Sequence, residues 1–315
     1  MTVAAVTLED TPRFTHVSVM IDEVVRAFAS LEGVVVDVTA GGGGHSRALL
    51  EAHPRLSLLS FDRDPTAVAA ARAELASFGE RARVEHATFA EVPERLDALG
   101  VPAIDGLLAD LGVSSEQLND PTRGLSFRAA GPIDMRMDPS SDGETALELI
   151  GRLSQDDLAD VIYELGEERA SRRIARCIKQ ALEHGELETT LDLRRAVVRA
   201  VGPRRVGGVD PATRTFQALR MQVNGELDQL RSVLGLGRAR LAPGGIAAII
   251  SFHSLEDRIV KREFMDREAW QRITPKPLVA SDEEQSTNPR SRSAKLRVAQ
   301  RLAAPEAEPD EEELE

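Results

Sequence analysis

Four consecutive glycines at 41–44 follow a run of β-branched residues in the stretch VVVDVTAGGGGHS. Glycine loses more conformational freedom on folding than any other residue, so four together indicate that the backbone must closely approach a ligand. A strand, a tight glycine turn and a helix form the first crossover of a Rossmann-like sheet, where ligands bind beyond the carboxyl ends of the strands. The loop is therefore predicted to face a ligand.

The loop lacks part of the motif that binds dinucleotides. A G-x-G-x-x-G motif would need a further glycine at position 46 or 47, where the chain has serine and arginine, so NAD is the weaker interpretation. Asp62 ends the second predicted strand and follows Gly41 by 21 positions, about the ~20 residue offset at which a carboxylate meets ribose hydroxyls. The alternative for Asp62 is a helix cap, but Asp64 before Pro65 suits that role better. We expect Asp62 to bind a ribose.

Alternating strands and helices must position these residues. Strand-like runs lie at 34–38, 56–61, 83–87, 104–110 and 246–251, and a late run at 295–302 would close the sheet. This alternation predicts an α/β fold with a mostly parallel sheet. Residues 111–245 between the fourth and fifth strands far exceed one crossover helix, so a helical insertion is predicted between those strands.

The insertion is expected over residues 119–209. Its helices are marked by apolar residues at i, i+3, i+4 and i+7, as from Leu158 to Leu165. Asp210 followed by Pro211 predicts the start of one crossover helix that runs on past Leu227. The α/β domain then comprises residues 1–118 and 210–303. Residues 304–315 are expected to form a disordered acidic tail, since EAEPDEEELE carries seven carboxylates and no base.

Composition limits the compartment and the partners. The single cysteine, Cys177, excludes an internal disulfide and suits a reducing cytoplasm. Without a signal peptide or an apolar run long enough to cross a bilayer, we expect a soluble, cytoplasmic protein and no membrane partner. The net charge of -13 argues against a polyanionic partner, yet arginines cluster at 169–176, 194–205 and 290–297. These clusters predict either local phosphate-binding faces or solvated helix faces.

An ordered set of motifs extends along the chain. IDGLLADLGVSSEQLND is followed by RGLSF, GPIDMRMDP, GEERASRRIARCI, DPATRTFQALRMQVNGEL, LAPGGIAAIISFHSLEDRIVKR and NPRSRSAKLRVAQR. With HVSVMIDEVV at 16–25, this set resembles the bacterial small-subunit ribosomal RNA cytosine-N4 methyltransferase family, from about His16 to Arg301. The resemblance implies a Rossmann-like class I methyltransferase sheet. It also implies methylation of the exocyclic N4 amine of one cytidine in the decoding region of 16S rRNA, in the small ribosomal subunit.

The resemblance further implies S-adenosylmethionine as the cofactor. It assigns the cofactor contacts to Gly43, Gly44, His45, Asp62, Phe89, Asp110 and Gln117. The glycine turn and His45 would border the methionine portion, Asp62 the ribose and Phe89 the adenine. Taken alone, Phe89 is as well explained as a core residue, His45 as a helix start and Gln117 as a loop residue facing solvent.

The insertion is the expected RNA-binding element, because it carries arginines and lies beside the loop after the fourth strand. RGLSF and DPATRTFQ would bracket the target base. The predicted substrate contacts are Arg123, Phe127, Arg214 and Thr215. With aromatic residues at only 3%, phosphate and shape recognition should dominate over extended base stacking.

The chemistry sets the last requirement. A sulfonium methyl is already an activated electrophile, so no metal is needed, but the cytosine amine shares its lone pair with the ring and is a poor nucleophile. Hydrogen-bond acceptors that hold its N–H groups would orient it for attack. The loop beginning at Asp110 lacks the prolines and the aromatic residue that DNA amino-methyltransferases use there. The candidates are Asp110, nearby backbone carbonyls, Ser114 or Ser115, and His253, whose alternative is a structural role beside a helix capped by Ser254.

Two other functions stay open. One is a ribosome- or RNA-binding protein with an intact cofactor pocket and no transfer. The other is a methyltransferase for a small molecule or a protein, which the arginine clusters favour less. The sequence also leaves a homodimer open.

Overall fold

The computed structural model describes residues 18–203 and 209–303. The predicted acidic tail, Arg204 and Arg205, and the first two residues of HVSVM lie outside the described residues.

The described residues contain a seven-stranded sheet. Its strands are β1 Gly33–Asp37, β2 Leu56–Asp62, β3 Ala82–His86, β4 Ile104–Asp110, β5 Leu241–Ser251, β6 Trp270–Arg272 and β7 Lys295–Arg301. The order is β3-β2-β1-β4-β5-β7-β6, in which β1 to β5 are parallel and β7 is antiparallel to both of its neighbours. This confirms the predicted α/β fold. The short strand β6 was not predicted.

Helices cover both faces of the sheet and form the insertion. In chain order they are α1 Ile21–Ala27, α2 Gly44–Ala52, α3 Pro65–Leu75, α4 Val92–Ala98, α5 Ser115–Asn119, α6 Ala146–Arg152, α7 Gln155–Gly166, α8 Ser171–Glu183, α9 Thr190–Val201, α10 Thr213–Asn224, α11 Glu226–Arg240, α12 Ser254–Glu263 and α13 Asp282–Thr287. Among the described residues, no helix is long and apolar enough to cross a membrane.

Strand alternation divides the core of the α/β domain into two layers. Val35 of β1 packs on one face with α1, α2 and α3, whereas Val36 packs on the other face with α4, α11 and α12. This follows because successive side chains of a strand point to opposite faces. A third core joins α6 to α10 and contains Leu158, Ile174 and Leu193, so the insertion has a hydrophobic core of its own.

The prediction of a single crossover helix is wrong, because the segment forms two helices, α10 and α11. Gly225 has φ +57°, a left-handed conformation that ends α10 and begins α11. Phe216 of α10 packs in the core of the insertion, while Leu230 of α11 packs against the sheet. Side-chain packing therefore groups α10 with the insertion, beyond the expected boundary at residue 209.

The start of α10 also differs from the prediction. The helix begins at Thr213, and Asp210 accepts a hydrogen bond from the backbone N–H of Ala212 at 3.0 Å. The Asp210 carboxylate also pairs with Arg194 at 2.8 Å. Asp210 therefore stabilises the turn that precedes the helix and fixes that turn to α9.

Candidate active site

The carboxylate of Asp62 lies at the end of β2, held by backbone N–H groups. One oxygen accepts from Gly41 at 2.8 Å and the other from Asp64 at 2.9 Å. Gly41 has φ +50°, a conformation that glycine adopts at little cost. Burial raises the pKa of Asp62 to about 6. The carboxylate is thus fixed in place, and its remaining lone pairs can accept hydroxyl donors.

A second carboxylate, that of Asp37 at the end of β1, holds the glycine loop together. It accepts hydrogen bonds from the backbone and hydroxyl of Thr39 at 2.9 and 3.2 Å and from the Ser46 hydroxyl at 2.8 Å. The Thr39 hydroxyl in turn accepts from the backbone N–H of Asp110 at 2.6 Å. This network ties the carboxyl ends of β1 and β4 together. The sequence offered only one signal for it, an acid at the end of the first strand.

The side chain of Asp110 at the end of β4 is 9% exposed, and its buried oxygen Oδ1 has no hydrogen-bond partner in the described part of the chain. The other oxygen lies 3.9 Å from Nδ1 of His45. Burial raises the pKa of Asp110 despite the opposing charge of His45. A buried carboxylate oxygen without a partner is costly, so this atom fits the position of a missing cationic or N–H donor.

Together these strand ends form a crevice, which we call the cofactor crevice. It is lined by Thr39, Gly41, Asp62, Phe89, Asp110 and Gln117, with Ser114, Met137 and Arg290 completing the wall. Phe89 is half-buried and opens a short 3-10 turn after β3. The crevice holds about 70 Å³, whereas ligand pockets usually measure ~300–1,000 Å³, so we expect it to widen when a nucleoside enters.

Three of the residues predicted to contact the cofactor pack against protein in this structure. His45 is buried, and its Nε2 lies 2.8 Å from the carbonyl oxygen of Val19. Gly43, with φ +84°, caps α2, and a Cβ on Gly44 would lie 2.3 Å from the hydroxyl of Ser18. None of the three lines the crevice. A side chain at position 44 would therefore displace the Ser18 hydroxyl and not a group of the crevice.

Gln117 and Ser114 form a reciprocal cap at the start of α5. The Ser114 hydroxyl accepts from the backbone of Gln117, whose side-chain oxygen accepts from the backbone of Ser114 at 2.8 Å. The amide nitrogen of Gln117 donates to Asp64 at 2.8 Å. Both side chains border the crevice while holding its wall in place.

Asp64 links the α/β domain to the insertion. As predicted, it caps α3 ahead of Pro65, accepting from the backbone of Thr66 at 3.0 Å. Its other oxygen pairs with Arg123 at 2.8 Å, and Arg123 also donates to the carbonyl of Met137. Arg123 was predicted to contact RNA, but it is only 8% exposed and is committed to this link.

A second cavity, of about 390 Å³, lies between α10, the loop after β4 and the start of α12; we call it the substrate cavity. Its apolar walls include Phe127 and Phe216, whose rings meet edge to face at 4.9 Å. The guanidinium of Arg290 lies 5.5 Å from the centre of the Phe252 ring, also in the wall. Flat aromatic surfaces beside a cation suit a planar heterocycle.

The polar wall of the substrate cavity is a network of charged groups. Nδ1 of His253 accepts from the backbone of Glu256 at 3.4 Å, and its Nε2 lies 3.2 Å from the Glu256 carboxylate. Arg220 in the same wall binds Glu226 through both carboxylate oxygens, at 2.7 and 2.8 Å. Atoms of Glu226, His253 and Glu256 that could bind a metal lie within 4.8 Å of one another, but Arg220 already neutralises one carboxylate.

The helix cap after β5 differs from the prediction. His253 is the N-cap of α12, whereas Ser254 is its first residue and donates to Glu167 of the insertion. Glu256 completes the cap by accepting from the backbone of Phe252 at 2.9 Å. Burial alone would raise the pKa of Glu256, but His253 and the backbone N–H of Phe252 hold it below its usual range.

The cofactor crevice and the substrate cavity share a wall. Gly112, Val113 and Arg290 line both. Gly112 has φ +93° and carries no side chain, so the wall consists of backbone at this point. Arg290 donates to the carbonyl of Val113 and closes the remaining side. A ligand in one compartment would lie directly beside a ligand in the other.

The remaining predicted substrate residues are divided between these places. Phe127 lines the substrate cavity. Thr215 is fully buried on the inner face of α10 and lines neither compartment. Arg214 is exposed, and it donates to the carbonyl of Glu167 at 3.1 Å. The prediction could not resolve these helix faces, because a shift of one residue in the helix turns a side chain by about 100°.

The arginines of the insertion fall into two groups. Arg172 pairs with Asp160 at 2.8 Å, and Arg195 pairs with Asp192. Arg169, Arg173 and Arg176 are exposed at spacings of four and three and have no acidic partner among the described residues. Arg173 and Arg176, three residues apart, lie on one face of α8, and Arg169 lies in the turn just before the helix. We call these three residues the arginine face.

The model of the MraW methylase family matches residues 13–302. The chain belongs to the MraW methylase family. Ribosomal RNA small subunit methyltransferase H of Sorangium cellulosum (strain So ce56) is 62% identical over 293 residues, covering 93% of this chain and 92% of that protein. The protein of that name from Synechococcus sp. (strain CC9605) is 52% identical over 299 residues, covering 93% and 99%.

Among solved structures, TrmN from Thermus thermophilus has a TM-score of 0.40 and 14% identity, covering 90% of this chain and 48% of that one. The cofactor of this MraW-family methyltransferase is S-adenosylmethionine, which supplies an electrophilic methyl group. The residues of the crevice fit it, since Asp62 can accept ribose hydroxyls and the unpartnered oxygen of Asp110 can accept a cationic donor.

Proposed function

We propose that this protein transfers a methyl group from S-adenosylmethionine to the exocyclic N4 amine of a cytidine in the decoding region of 16S rRNA, in the small ribosomal subunit. The two relatives named as ribosomal RNA small subunit methyltransferase H support RNA as the substrate. We place this activity in the cytoplasm. The single observation that carries the choice of acceptor is the wall shared by the crevice and the substrate cavity.

The substrate cavity suits a flipped-out cytosine. Phe127, Phe216 and Phe252 supply apolar surface for the ring. Cytosine presents an amine donor beside two acceptors, and the cavity offers a carboxylate on Glu256 with donors on Arg220 and Arg290. A base must leave its stack to enter such a cavity, which costs least in single-stranded or loop RNA.

Within the crevice, we assign Asp62 to the ribose and Phe89 to the adenine. Asp110 offers its unpartnered oxygen to the methionine end. Gly43, Gly44, His45 and Gln117 then act by shaping the glycine loop and the wall. Ser114 retains a hydroxyl proton that it can donate into the crevice, and His253 borders the base.

The arginine face supplies a surface for RNA phosphates. Arg169, Arg173 and Arg176 point outward from the insertion and are not neutralised by described acids. Phosphate contacts of this kind position RNA without reading its sequence. Recognition of the base then belongs to the substrate cavity.

Transfer of labelled methyl groups tests the proposal. Three acceptors are compared: small ribosomal subunits that lack the modification, naked 16S rRNA and free cytidine. We expect transfer to the subunits, on one cytidine, with N4-methylcytidine as the product after digestion. Transfer to free cytidine alone would indicate a small-molecule methyltransferase, and binding to subunits without transfer would indicate an RNA-binding protein.

A further inference from the structure

The groups suspected of holding the cytosine amine do not suit that task in this structure. Asp110 and Ser114 line the cofactor crevice and not the substrate cavity. His253 lines the cavity, but its Nδ1 accepts from the backbone of Glu256, so the ring proton lies on Nε2. That nitrogen lies 3.2 Å from the Glu256 carboxylate, and such a ring has no acceptor left for an amine. The acceptor must be another group.

Glu256 meets the requirement. It is the only carboxylate among the described residues that line the substrate cavity, and it is 3% exposed. It also borders a small pocket of about 40 Å³ that shares Thr39, Phe89 and Gly112 with the cofactor crevice. The carboxylate therefore lies between the place for the base and the place for the cofactor.

We propose that Glu256 is the catalytic residue that accepts a hydrogen bond from the N4 amine of the target cytosine, an inference that rests on the proposed function. In the reaction, the amine nitrogen bonds to the methyl carbon while the carbon–sulfur bond breaks and its electron pair stays on sulfur. The nitrogen then loses a proton to the Glu256 carboxylate, which passes it to water. The carboxylate thus orients the amine before attack and removes the proton after it.

The surroundings of Glu256 keep it ready for this role. The backbone N–H of Phe252 holds Oε2 at 2.9 Å, and Nε2 of His253 lies 3.2 Å from Oε1. The backbone donor fixes the carboxylate, and the nearby imidazole favours its ionised, accepting form. A carboxylate here also discriminates against uracil, whose carbonyl at the same position would face a negative charge. His253 is then a positioning residue.

Single-turnover transfer to unmodified small subunits tests the role, with Glu256→Gln, Glu256→Asp and Asp257→Asn compared with the unchanged protein. Glutamine keeps the shape and an acceptor for Phe252, but it loses the charge and the proton-accepting ability. Asp257→Asn is the matched control, since it removes a carboxylate one residue along the same helix that pairs with Arg297 instead. Calorimetric affinity for S-adenosylmethionine and the thermal midpoint are measured for each.

We expect Glu256→Gln to slow transfer by about a hundredfold, the effect of losing one preorganised hydrogen-bonding group, with cofactor affinity within about twofold of the unchanged protein. Glu256→Asp should recover part of the rate, and Asp257→Asn should transfer within about twofold of the unchanged rate. Transfer by Glu256→Gln at the unchanged rate would overturn the inference and leave the proposed function intact. A parallel loss of cofactor affinity and thermal stability in Glu256→Gln would also overturn the inference, because it would indicate a purely structural role for Glu256. Failure of the unchanged protein to methylate subunits would instead refute the proposed function.

Discussion

The cofactor crevice and the substrate cavity are built by different means. The crevice is formed where neighbouring parallel strands end, and its acids are held by backbone N–H groups and hydroxyls close in sequence. The cavity draws its walls from four distant segments, around residues 112–128, 213–220, 252–256 and 290–293. The crevice is therefore set by sheet topology, whereas the cavity depends on how the insertion packs against the sheet.

This difference implies that the two compartments should respond separately to substitution. A change in the crevice should alter cofactor affinity and leave RNA affinity intact, and a change in the cavity should do the reverse. Residues of the shared wall, and residues that join the insertion to the α/β domain, should affect both.

Arg123→Ala should have the largest effect on stability, since it breaks that join. Removing the guanidinium leaves the buried Asp64 carboxylate without its charged partner, which typically costs about 3–5 kcal/mol. Urea unfolding at neutral pH measures the loss. The matched control is Arg214→Ala, where the exposed side chain should cost less than ~0.5 kcal/mol. Equal losses in the free energy of unfolding for the two variants would show that the Asp64–Arg123 ion pair stabilises the protein no more than an exposed contact does.

Asp62→Ala should weaken S-adenosylmethionine binding by at least about a hundredfold, because two hydrogen bonds to a charged acceptor are lost at about 1.5–3 kcal/mol each. Calorimetry gives the dissociation constant. RNA affinity, measured by filter binding, should stay within about twofold. A loss of cofactor affinity of less than about threefold would contradict the assignment of Asp62 to the ribose.

Phe127→Ala should show the opposite pattern. Loss of a stacking surface costs about 1–3 kcal/mol per base, so the KM for small subunits should rise by roughly thirtyfold while the calorimetric cofactor affinity is unchanged. The ring is half-buried, so the fold should tolerate its removal. If the variant lost cofactor affinity and kept its KM, the assignment of the two compartments would be reversed.

Cofactor affinity should depend on pH through Asp62. Its pKa is raised to about 6 by burial, and ribose hydroxyls donate to the ionised carboxylate. Protonation therefore competes with binding as the pH falls through 6, and the dissociation constant at pH 5 should be about tenfold higher than at pH 7. Asp62→Asn should flatten this dependence. A pH-independent affinity in the unchanged protein would argue that Asp62 does not bind the ribose.

The smallest effect is expected on the arginine face. Arg173→Ala should weaken RNA binding a few-fold and lower the slope of log K against log salt by roughly one, since one phosphate contact is lost. Arg172→Ala is the matched control, because Arg172 already pairs with Asp160. Equal slopes for the two variants would place the RNA elsewhere.

The same contrast explains what the sequence could predict. Asp62 was predicted to border the ligand from its place at the end of a strand and its offset from the glycine loop, and Asp110 was assigned from the family resemblance; both line the crevice. The helices of the insertion were found from their apolar spacing. Strand β6 was missed because three residues are too few to show alternation, and the break at Gly225 was missed because one glycine interrupts an otherwise continuous apolar stripe.

The substrate cavity could not be predicted in the same way. Glu256 was not among the predicted site residues, and only tertiary packing places it beside Phe127 and Arg220. Arg123 and Thr215 were predicted to face RNA, but both are buried. A short motif does not reveal which side chains turn inward. Residues that border a cavity made from distant segments carry no local periodicity to identify them.

The assignment of the two compartments is tested most directly by a crystal structure of the protein with S-adenosylhomocysteine. We predict that the nucleoside lies in the cofactor crevice, widened from its present volume, with both ribose hydroxyls within hydrogen-bonding distance of Asp62 and the sulfur facing Gly112. The larger cavity between Phe127 and Phe252 should stay free for a base. A nucleoside bound in that larger cavity, with Asp62 making no contact to it, would contradict the account.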